Sequence, residues 1–506
     1  MKNQFSISFL LWLLPFYICS QENKINILNA DILEYKKEIK DAQILKGNVI
    51  LEHDGAIMSC DSAYVYTKTN SFEAFNNIKI VQNDSLEMRG DTLFYNGNNK
   101  KAEITGNVTF KEKDLSLSTR KLMYDLKAKR AYYNNRAHIN SKKSQNKLTS
   151  KKGVYHSESK TLFFKDSVEL THPKYKMISD TLIYHTASEI ADFKGPTTIT
   201  SKQNTIFCNK GWYDTKNDQS SFWNNAMIIS EEQFLSGDSI FYDSNLGVGK
   251  VYGNVILNDT SKKQLIHGDY AFHDENKDSS LVKGNALLSH HYQQDTLHIL
   301  ADQFISTNDS NNLNFLRGFN NVKFFKNDIQ GICDSISYKQ KDSIMELFKQ
   351  PFLWSNENQI SGDFIQLKLW NGTINKMNIY ENSLILSLAD SIHFNQIKGN
   401  NMESIFSENA IKSIYVKGNG ETLYYIEKEN KEPLADYNKT QCSELTIILD
   451  SNQIKTLNFS NQPTAKMNAI TSTPTENQKL EGFIWNISER PLKIQFIRNE
   501  KLDIRE

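Results

Sequence analysis

The most constraining feature of the sequence is a repeat of about 30 residues that runs along most of its length. One copy, Arg89 to Phe110, reads RGDTLFYNGNNKKAEITGNVTF. In its first half, apolar residues follow Asp91 at the second and fourth positions, which is the period of a strand with one buried face. In its second half, the pair Gly106-Asn107 introduces apolar residues with the same period. The Asn- and Gly-rich stretch 96–100 between the halves tolerates the positive φ angles of a tight turn. The unit therefore predicts two antiparallel strands.

The first half of this unit recurs fourteen times, at intervals of 27 to 33 residues, and nine copies carry Tyr at the fourth position after the leading residue. The leading residues are Asp31, Asp61, Asp91, Arg120, Lys151, Asp180, Asn209, Asp238, Asp269, Asp302, Asp334, Asp363, Asp390 and Glu421. The second half recurs in step with the first. A regular period of this length indicates an elongated stack, in which each unit buries its apolar face against its neighbours.

Composition indicates an all-β protein without a nucleic-acid partner. The chain has 59 basic and 59 acidic residues, so no net charge attracts a phosphate backbone. It contains only 8 prolines but 22 tyrosines and 28 phenylalanines, a balance that suits ladders whose backbone N–H groups must all donate. We therefore expect an elongated antiparallel repeat stack.

The first twenty residues are typical of a cleaved signal peptide. Lys2 precedes an apolar run from Phe5 to Ile18, which is too short to span a bilayer comfortably and is followed by polar residues. Cys19 leaves open the alternative of a lipoprotein anchor. No later segment is long and apolar enough to predict a membrane helix, so we expect an exported, soluble mature chain.

Read in phase, the second halves of the repeats place apolar residues on one face. These residues are Val49, Leu51, Ile78, Ile80, Val108, Phe110, Val168, Leu170, Ala226, Ile228, Val255, Leu257, Ala286, Leu288, Val322 and Phe324. The face has two interpretations: an ordinary closed core, or the lining of an open trough that holds a lipid. The pattern alone favours the closed core.

No catalytic or metal-binding pattern accompanies the repeat. The repeated aspartates are too regular for one catalytic constellation, and we interpret them as equivalent turn residues. The cluster His290, His291 and His298 lacks the spacing of a metal site. Cys60, Cys208 and Cys333 share one phase of the repeat several units apart, too far for a disulfide, which predicts small core residues. We expect no enzyme activity, no cofactor and no metal.

Two quoted motifs carry a resemblance to a known family. Residues 90–95, GDTLFY, and residues 253–257, GNVIL, resemble the successive units of the organic solvent tolerance (OstA-like) family, and residues 482–485 with 490–491 are similar to the ending of its long members. The resemblance extends over nearly the whole mature chain. It implies a partly open β-jelly roll that shields lipid acyl chains. The chain has many more units than the short bridge proteins of the family, and we expect no transmembrane barrel of the kind that the translocon has.

The resemblance also implies a function and partners. We expect a periplasmic protein, with association to the outer membrane as a further expectation, that binds the lipid A acyl chains of lipopolysaccharide in the apolar groove. Other OstA-like jelly-roll proteins, including the outer-membrane translocon, would pair with its edge strands. The expected organisation is a signal peptide at 1–20, the repeat jelly roll at 21–430, and a hairpin and tail at 431–506. Alternatives are a structural or adhesive repeat protein without a lipid ligand, and a carbohydrate-active β-solenoid.

Overall fold

The structure is a computed structural model that describes residues 24–36, 41–82, 86–113, 115–141, 145–292, 295–308, 314–339, 342–370, 372–407, 410–426, 434–450 and 453–497. The predicted signal peptide and Cys19 lie outside these residues. The chain divides into two compact units, Met1–Ala187 and Ser188–Glu506, each of which is described by itself. Among the described residues, no helix has the length and apolar character needed to cross a membrane.

The described residues of the first unit form fourteen strands. They are β1 (Asn26–Asn29), β2 (Ile32–Tyr35), β3 (Gln43–His53), β4 (Ala56–Tyr66), β5 (Ser71–Gln82), β6 (Leu86–Asn96), β7 (Lys101–Glu112), β8 (Leu115–Asp125), β9 (Arg130–Tyr133), β10 (Ala137–Ser141), β11 (Lys147–Ser150), β12 (Lys152–His156), β13 (Thr161–His172) and β14 (Tyr175–His185).

In the second unit, the part of the chain that the structure describes forms twenty strands and four short 3-10 helices. The strands are β15 (Ile190–Ser201), β16 (Thr205–Asp214), β17 (Gln219–Ile229), β18 (Gln233–Asp243), β19 (Val248–Asp259), β20 (Gln264–Asp274), β21 (Ser279–His291), β22 (Thr296–Asn308), β23 (Asn314–Lys326), β24 (Ile329–Lys339), β25 (Ile344–Phe348), β26 (Phe352–Ser355), β27 (Asn358–Ser361), β28 (Phe364–Trp370), β29 (Thr373–Leu388), β30 (Phe394–Ser407), β31 (Ala410–Tyr425), β32 (Asp436–Asp450), β33 (Gln453–Ser460) and β34 (Thr464–Ala469). The 3-10 helices are Ile470–Ser472, Thr475–Gln478, Ile487–Glu489 and Lys493–Phe496.

The predicted all-β, antiparallel class is confirmed, but the strands are longer than the repeat halves suggested. Every pairing between described strands is antiparallel, as in β6 with β7, which the turn at 97–100 connects. The motif GDTLFY is the second part of β6, and GNVTF is the second part of β7. Each long strand therefore has two parts. They meet at the leading Asp on one strand and at the Gly-Asn pair on the next, and we call this meeting point the corner.

The interpretation of the repeated Asp and Gly-Asn residues as turn residues is wrong for most copies, because they lie inside strands, as Asp91 does in β6 and Gly106-Asn107 in β7. At the corner of β7, Gly106 and Asn107 have φ angles of 72° and 33°, and the register with β6 shifts there. Two consecutive residues in the left-handed region add a residue to one strand, which is the geometry of a β-bulge that bends the strand. The same pair of positive φ angles occurs at Gly47-Asn48 and at Gly253-Asn254.

The motif residues of neighbouring strands interlock at the corner. Asn107 Nδ2 donates to Asp91 Oδ2 at 2.9 Å, and equivalent bonds recur at other corners, including Asn254 to Asp238 at 3.0 Å. The Asp side chain also lies over the corner glycine, since a Cβ built on Gly106 would meet Asp91 Oδ2 at 2.3 Å. The Gly is therefore required by its φ angle and by the space that the Asp occupies.

The residue before each corner Asp is small because the interior is narrow there. A Cβ on Gly90 would meet Ile104 Cγ2 at 2.4 Å. The cysteines Cys60, Cys208, Cys333 and Cys442 occupy this same position, and all four are free and buried. The prediction of small, unpaired core cysteines is confirmed.

The last two repeat copies were placed wrongly. Asp390 lies in the loop after β29, and Glu421 lies in β31, whose corner is Gly418-Asn419. The true partner of this corner is Asn400 on β30, whose Oδ1 accepts a hydrogen bond from Asn419 Nδ2 at 3.2 Å. An amide replaces the leading carboxylate there, so a search for an acidic residue misses the corner.

The chain end crosses the outer face of the second unit. Residues 470–496, part of the tail expected from the sequence, are held by buried glutamine side chains of the sheet. Gln359 Nε2 donates to the carbonyl of Ile484 at 2.6 Å, and Gln396 Oε1 accepts from the backbone N–H of Leu480 at 2.8 Å. Leu480 is buried with residues of β31 and β32. The tail therefore covers an apolar outer surface that strands alone would leave exposed.

Candidate functional site

The corner divides the interior face of each long strand into two arms. The tyrosine arm carries the Tyr found four residues after the leading Asp, and the valine arm carries the apolar residues that follow the Gly-Asn corner. All sixteen residues of the predicted groove lie on the valine arm. Fourteen of them are buried, whereas Ile228 and Leu257 are half-buried.

In the first unit the valine arm forms a continuous buried row. Cross-strand pairs connect Leu51 to Met58, Met58 to Ile80 and so on across the sheet. The complete row is Leu51, Met58, Ile80, Met88, Phe110, Leu117, Ile139, Leu148, Leu170 and Met177. Each of its side chains is less than 9% exposed. This row, which we call the closed row, has the character of a sealed core.

The tyrosines close the first unit by reaching across its interior. The Tyr95 hydroxyl lies 2.7 Å from His53 Nδ1, which is at the end of the valine arm of β3. The Tyr124 hydroxyl donates to Gln82 Oε1 at 3.0 Å, again from one arm to the other. Burial raises the pKa of Tyr124 to about 12, so this hydroxyl remains a donor at neutral pH.

In the second unit the equivalent row is open over six strands. Paired residues of β15 to β20 continue the valine arm, and every one of them is half-buried rather than buried. These residues are Ile199, Ile206, Ile228, Leu235, Leu257 and Ile266. We call them the open row. An unbroken row of partly exposed aliphatic side chains inside a fold is a surface to which another apolar molecule can bind.

The open row results from the composition of the tyrosine arm opposite it. In the first unit that arm places Phe72 next to Tyr95, whereas β17 and β19 contribute Ser220 and Gly249 at the corresponding positions. Tyr242, which lies between these two small residues, is half-buried and donates to Glu275 Oε1 at 3.0 Å in the turn after β20. This tyrosine binds a turn carboxylate and does not reach the valine arm.

Beyond β20 the second unit closes again. The row continues from Ile266 to Leu288 and Ile299, which are both buried. Tyr292 and Tyr338 are hydrogen-bonded to each other across the interior, and burial raises the pKa of both hydroxyls. The open row therefore ends at a closed core within its own unit.

Sequence reasoning found two of the six open-row residues, Ile228 and Leu257, and missed the other four. Ile199 follows the Gly-Pro corner of β15, which departs from the motif. Ile206, Leu235 and Ile266 precede the corner on the other strand type. Each of these three lies two residues before the small residue Cys208, Gly237 or Gly268. Counting backwards by two from that small residue could have found them.

The described residues contain no group of three or more His, Cys, Asp or Glu side chains that could hold a metal ion. His298 Nδ1 lies 2.9 Å from Ser289 Oγ, and His291 Nδ1 lies 3.1 Å from Thr296 Oγ1, so these two side chains bond to hydroxyls. Burial raises the pKa of the Cys208 thiol to about 12, which keeps it protonated and unreactive.

Comparisons with known proteins agree with the motifs. Residues 22–180 match the family model described as OstA-like protein, and residues 265–373 match the model described as LptA/(LptD N-terminal domain) LPS transport protein. The two segments together span just over half of the chain, one in each unit, and most of the open row lies between them. No curated protein matches the chain.

Among solved structures, the chain is similar to LptH from Pseudomonas aeruginosa, described as the LptA homologous periplasmic component of the lipopolysaccharide transport device. The identity is 13%, the match covers 28% of this chain and 80% of that chain, and the TM-score is 0.15. A score this low supports no comparison of the two folds.

An all-antiparallel repeat fold with an apolar interior and two matched segments of this kind defines a protein of the lipopolysaccharide-transport type. Residues 22–180 belong to the OstA-like family.

Proposed function

We propose that the protein binds lipopolysaccharide in the periplasm and shields its acyl chains along the open row, as part of the bridge between the membranes and of outer-membrane assembly. The observation that carries this proposal is the change from a closed to an open row on the same valine arm. The family descriptions support the class of ligand, and the predicted signal peptide supports the compartment.

The dimensions of the open row suit an acyl chain. Six strands about 4.8 Å apart give a row roughly 24 Å long, whereas one leaflet of a bilayer with a hydrocarbon core of roughly 30 Å spans about 15 Å. Each CH₂ group removed from water contributes about 0.8 kcal/mol, so a single acyl chain along the row gains a substantial part of a typical binding free energy. Val255 and Ala226, at the narrow corner, would form the floor beneath the chain.

Site-specific photo-crosslinking tests this assignment. We expect benzoylphenylalanine at Ile228 or Leu257 of the purified protein to capture lipopolysaccharide, because both side chains are half-buried and face the interior. The matched control is the same residue at Met227, which is also half-buried but on the opposite face of β17. Equal capture at Met227 and Ile228, or none at Ile228 and Leu257, would contradict the proposal and favour the structural or adhesive alternative.

We also propose that like-folded proteins pair with the first strands. Among the described residues, β1 and β2 pair only with β3, so their other edge is a free template for a further strand. Their side chains are unusually exposed, with Leu33 at 59% and Tyr35 at 69%. An apolar edge of this kind is covered by a partner in a stable assembly. The proposed partners are other OstA-like jelly-roll proteins, including the translocon.

Crosslinking in cells tests the partners. A photo-crosslinker at Leu33 is expected to capture an OstA-like protein. A crosslinker at Phe94, which is 45% exposed on a strand paired on both sides, is expected to capture none. If Leu33 gives no product, or if both positions give the same products, the edge does not select a like-folded partner.

A further inference from the structure

The outer face of the second unit has a concavity whose chemical character differs from that of the apolar interior. It has a volume of about 640 Å³ and lies over β24, between β23 and β25. The floor consists of Ser335 and Ser337, because β24 places small hydroxyl side chains outward at these positions. On one side Ser335 pairs with Phe319, and on the other with Phe348. The two aromatic side chains therefore form opposite walls across one strand.

The distance between the walls suits one saturated six-membered ring. Two strand spacings separate the backbones of Phe319 and Phe348 by about 10 Å. A ring held between two others needs two van der Waals separations, about 7 to 8 Å in total. The electron-rich faces of the phenyl rings attract the partly positive C–H groups of a pyranose.

The next cross-strand row supplies polar groups around the rim. Ser337 pairs with Arg317 on β23 and with Glu346 on β25. Glu346 uses Oε1 for both its bonds within the protein, from Lys339 at 3.3 Å and from Gln366 at 3.2 Å. Apolar walls with a rim of donors and acceptors match a molecule with C–H faces and hydroxyl edges.

Two side chains at this site form no hydrogen bond or ion pair within the described chain. Ser337 is 8% exposed and lines the concavity, so its hydroxyl can bond to a ligand there. Arg317 is exposed and contacts the Phe315 ring at 5.8 Å, but it forms no ion pair within the described chain. The adjacent Lys339 and Lys349, in contrast, pair with Glu346 and Asp334.

We propose that this concavity binds a pyranose residue that carries a carboxylate or phosphate group. The sugar ring lies between Phe319 and Phe348, Ser337 and Glu346 bond to its hydroxyls, and Arg317 binds the anionic substituent. A guanidinium is the side chain best suited to carboxylate or phosphate because it can donate two parallel hydrogen bonds. The site is on the outer face and does not depend on the proposed lipid function.

Titration of the full-length protein with methyl glucuronide, glucose 6-phosphate and methyl glucoside tests the site. We expect the two anionic probes to bind more tightly than methyl glucoside. Phe319→Ala and Phe348→Ala each weaken all three probes about tenfold through loss of a wall. Arg317→Gln weakens only the two anionic probes, also about tenfold, through loss of a charge-assisted bond. Phe348→Trp retains the wall, and its fluorescence reports occupancy.

Tyr252→Ala is the matched control, since Tyr252 is an exposed aromatic of the same outer face that lies outside the concavity. This variant is expected to bind all three probes normally. Failure of every probe to bind the wild-type protein overturns the proposal, as does normal binding in both phenylalanine variants. Equal losses for charged and neutral probes in Arg317→Gln overturn the assignment of the anionic substituent. Lipopolysaccharide capture at Ile228 is measured separately, so either proposal can fail alone.

Discussion

Val255→Glu is expected to destabilise the second unit strongly, whereas Leu257→Glu, two residues along the same face, leaves it folded but unable to bind lipid. Val255 is 1% exposed at the narrow corner, so a glutamate there buries a charge without a partner. That costs on the order of 3 to 5 kcal/mol. Leu257 belongs to the open row, where a carboxylate can reach water, so a loss of about 1 kcal/mol or less is expected.

Urea unfolding monitored by tryptophan fluorescence measures this difference selectively. All tryptophans of the described residues lie in the second unit, at positions 212, 223, 354, 370 and 485. Asn258→Glu, at an exposed position next to Leu257, is the control for added charge alone. If Leu257→Glu unfolds as readily as Val255→Glu, the row is closed in solution. If it folds and still binds lipopolysaccharide, the row is not the lipid site.

Gly253→Ala is expected to lower the free energy of unfolding of the same unit by about 1 to 3 kcal/mol through backbone strain alone, with a further loss from steric overlap. Gly253 has a φ angle of 68°, and its Cβ would lie 2.0 Å from Asp238 Oδ2. Gly249→Ala, on the same strand, is the matched control, because its nearest neighbour would be Tyr242 Cδ2 at 3.9 Å. This control is expected to be neutral or slightly stabilising.

The double variant Asp238→Ala with Gly253→Ala separates the two causes. Removal of the Asp side chain relieves the overlap but not the strain, so the double variant is expected to be more stable than additivity of the two single variants predicts. Additive losses would mean that the Asp does not occupy the space over the glycine. A Gly253→Ala variant as stable as Gly249→Ala would contradict the corner geometry altogether.

The sequence predicted the strand type because period-two alternation is a property of single strands. The position of the motif residues was mispredicted for a physical reason. Asn and Gly favour positive φ angles both in turns and in bulges. Residues 96–100 and Gly106-Asn107 therefore look alike in sequence, although the chain reverses at the first and continues as a strand through the second. The hydrogen bond from Asn107 to Asp91 depends on pairing between strands, which no local pattern specifies.

The open row was beyond sequence reasoning for a different reason. Leu51 and Leu257 occupy the same place in the motif, yet Leu51 is buried and Leu257 is half-buried. Their identity and position in the motif do not reveal this difference. The difference comes from Ser220 and Gly249, which lie on the opposite arm. Ser220 belongs to another strand, and Gly249 belongs to the other part of the strand that carries Leu257. Openness is therefore a property of residues that face one another across the interior, whereas the repeat describes only residues that follow one another along a strand.

The interlocked corner has a consequence for how such a chain can change in length. At the corners of β7 and β19 the Asp contacts the Gly-Asn pair of an adjacent strand, so these corners are completed by neighbouring strands. A gene segment that encodes two strands can then be duplicated or deleted. The strands that become neighbours still present an Asp on one side and a Gly-Asn pair on the other, so the corner contacts can form again. Length can vary in steps of about 30 residues without redesign of any remaining corner. A rise or fall in copy number is thus a small genetic event. The composition of each inserted strand pair, at positions such as those of Ser220 or Phe72, decides whether the pair lengthens the sealed part or the open part of the interior.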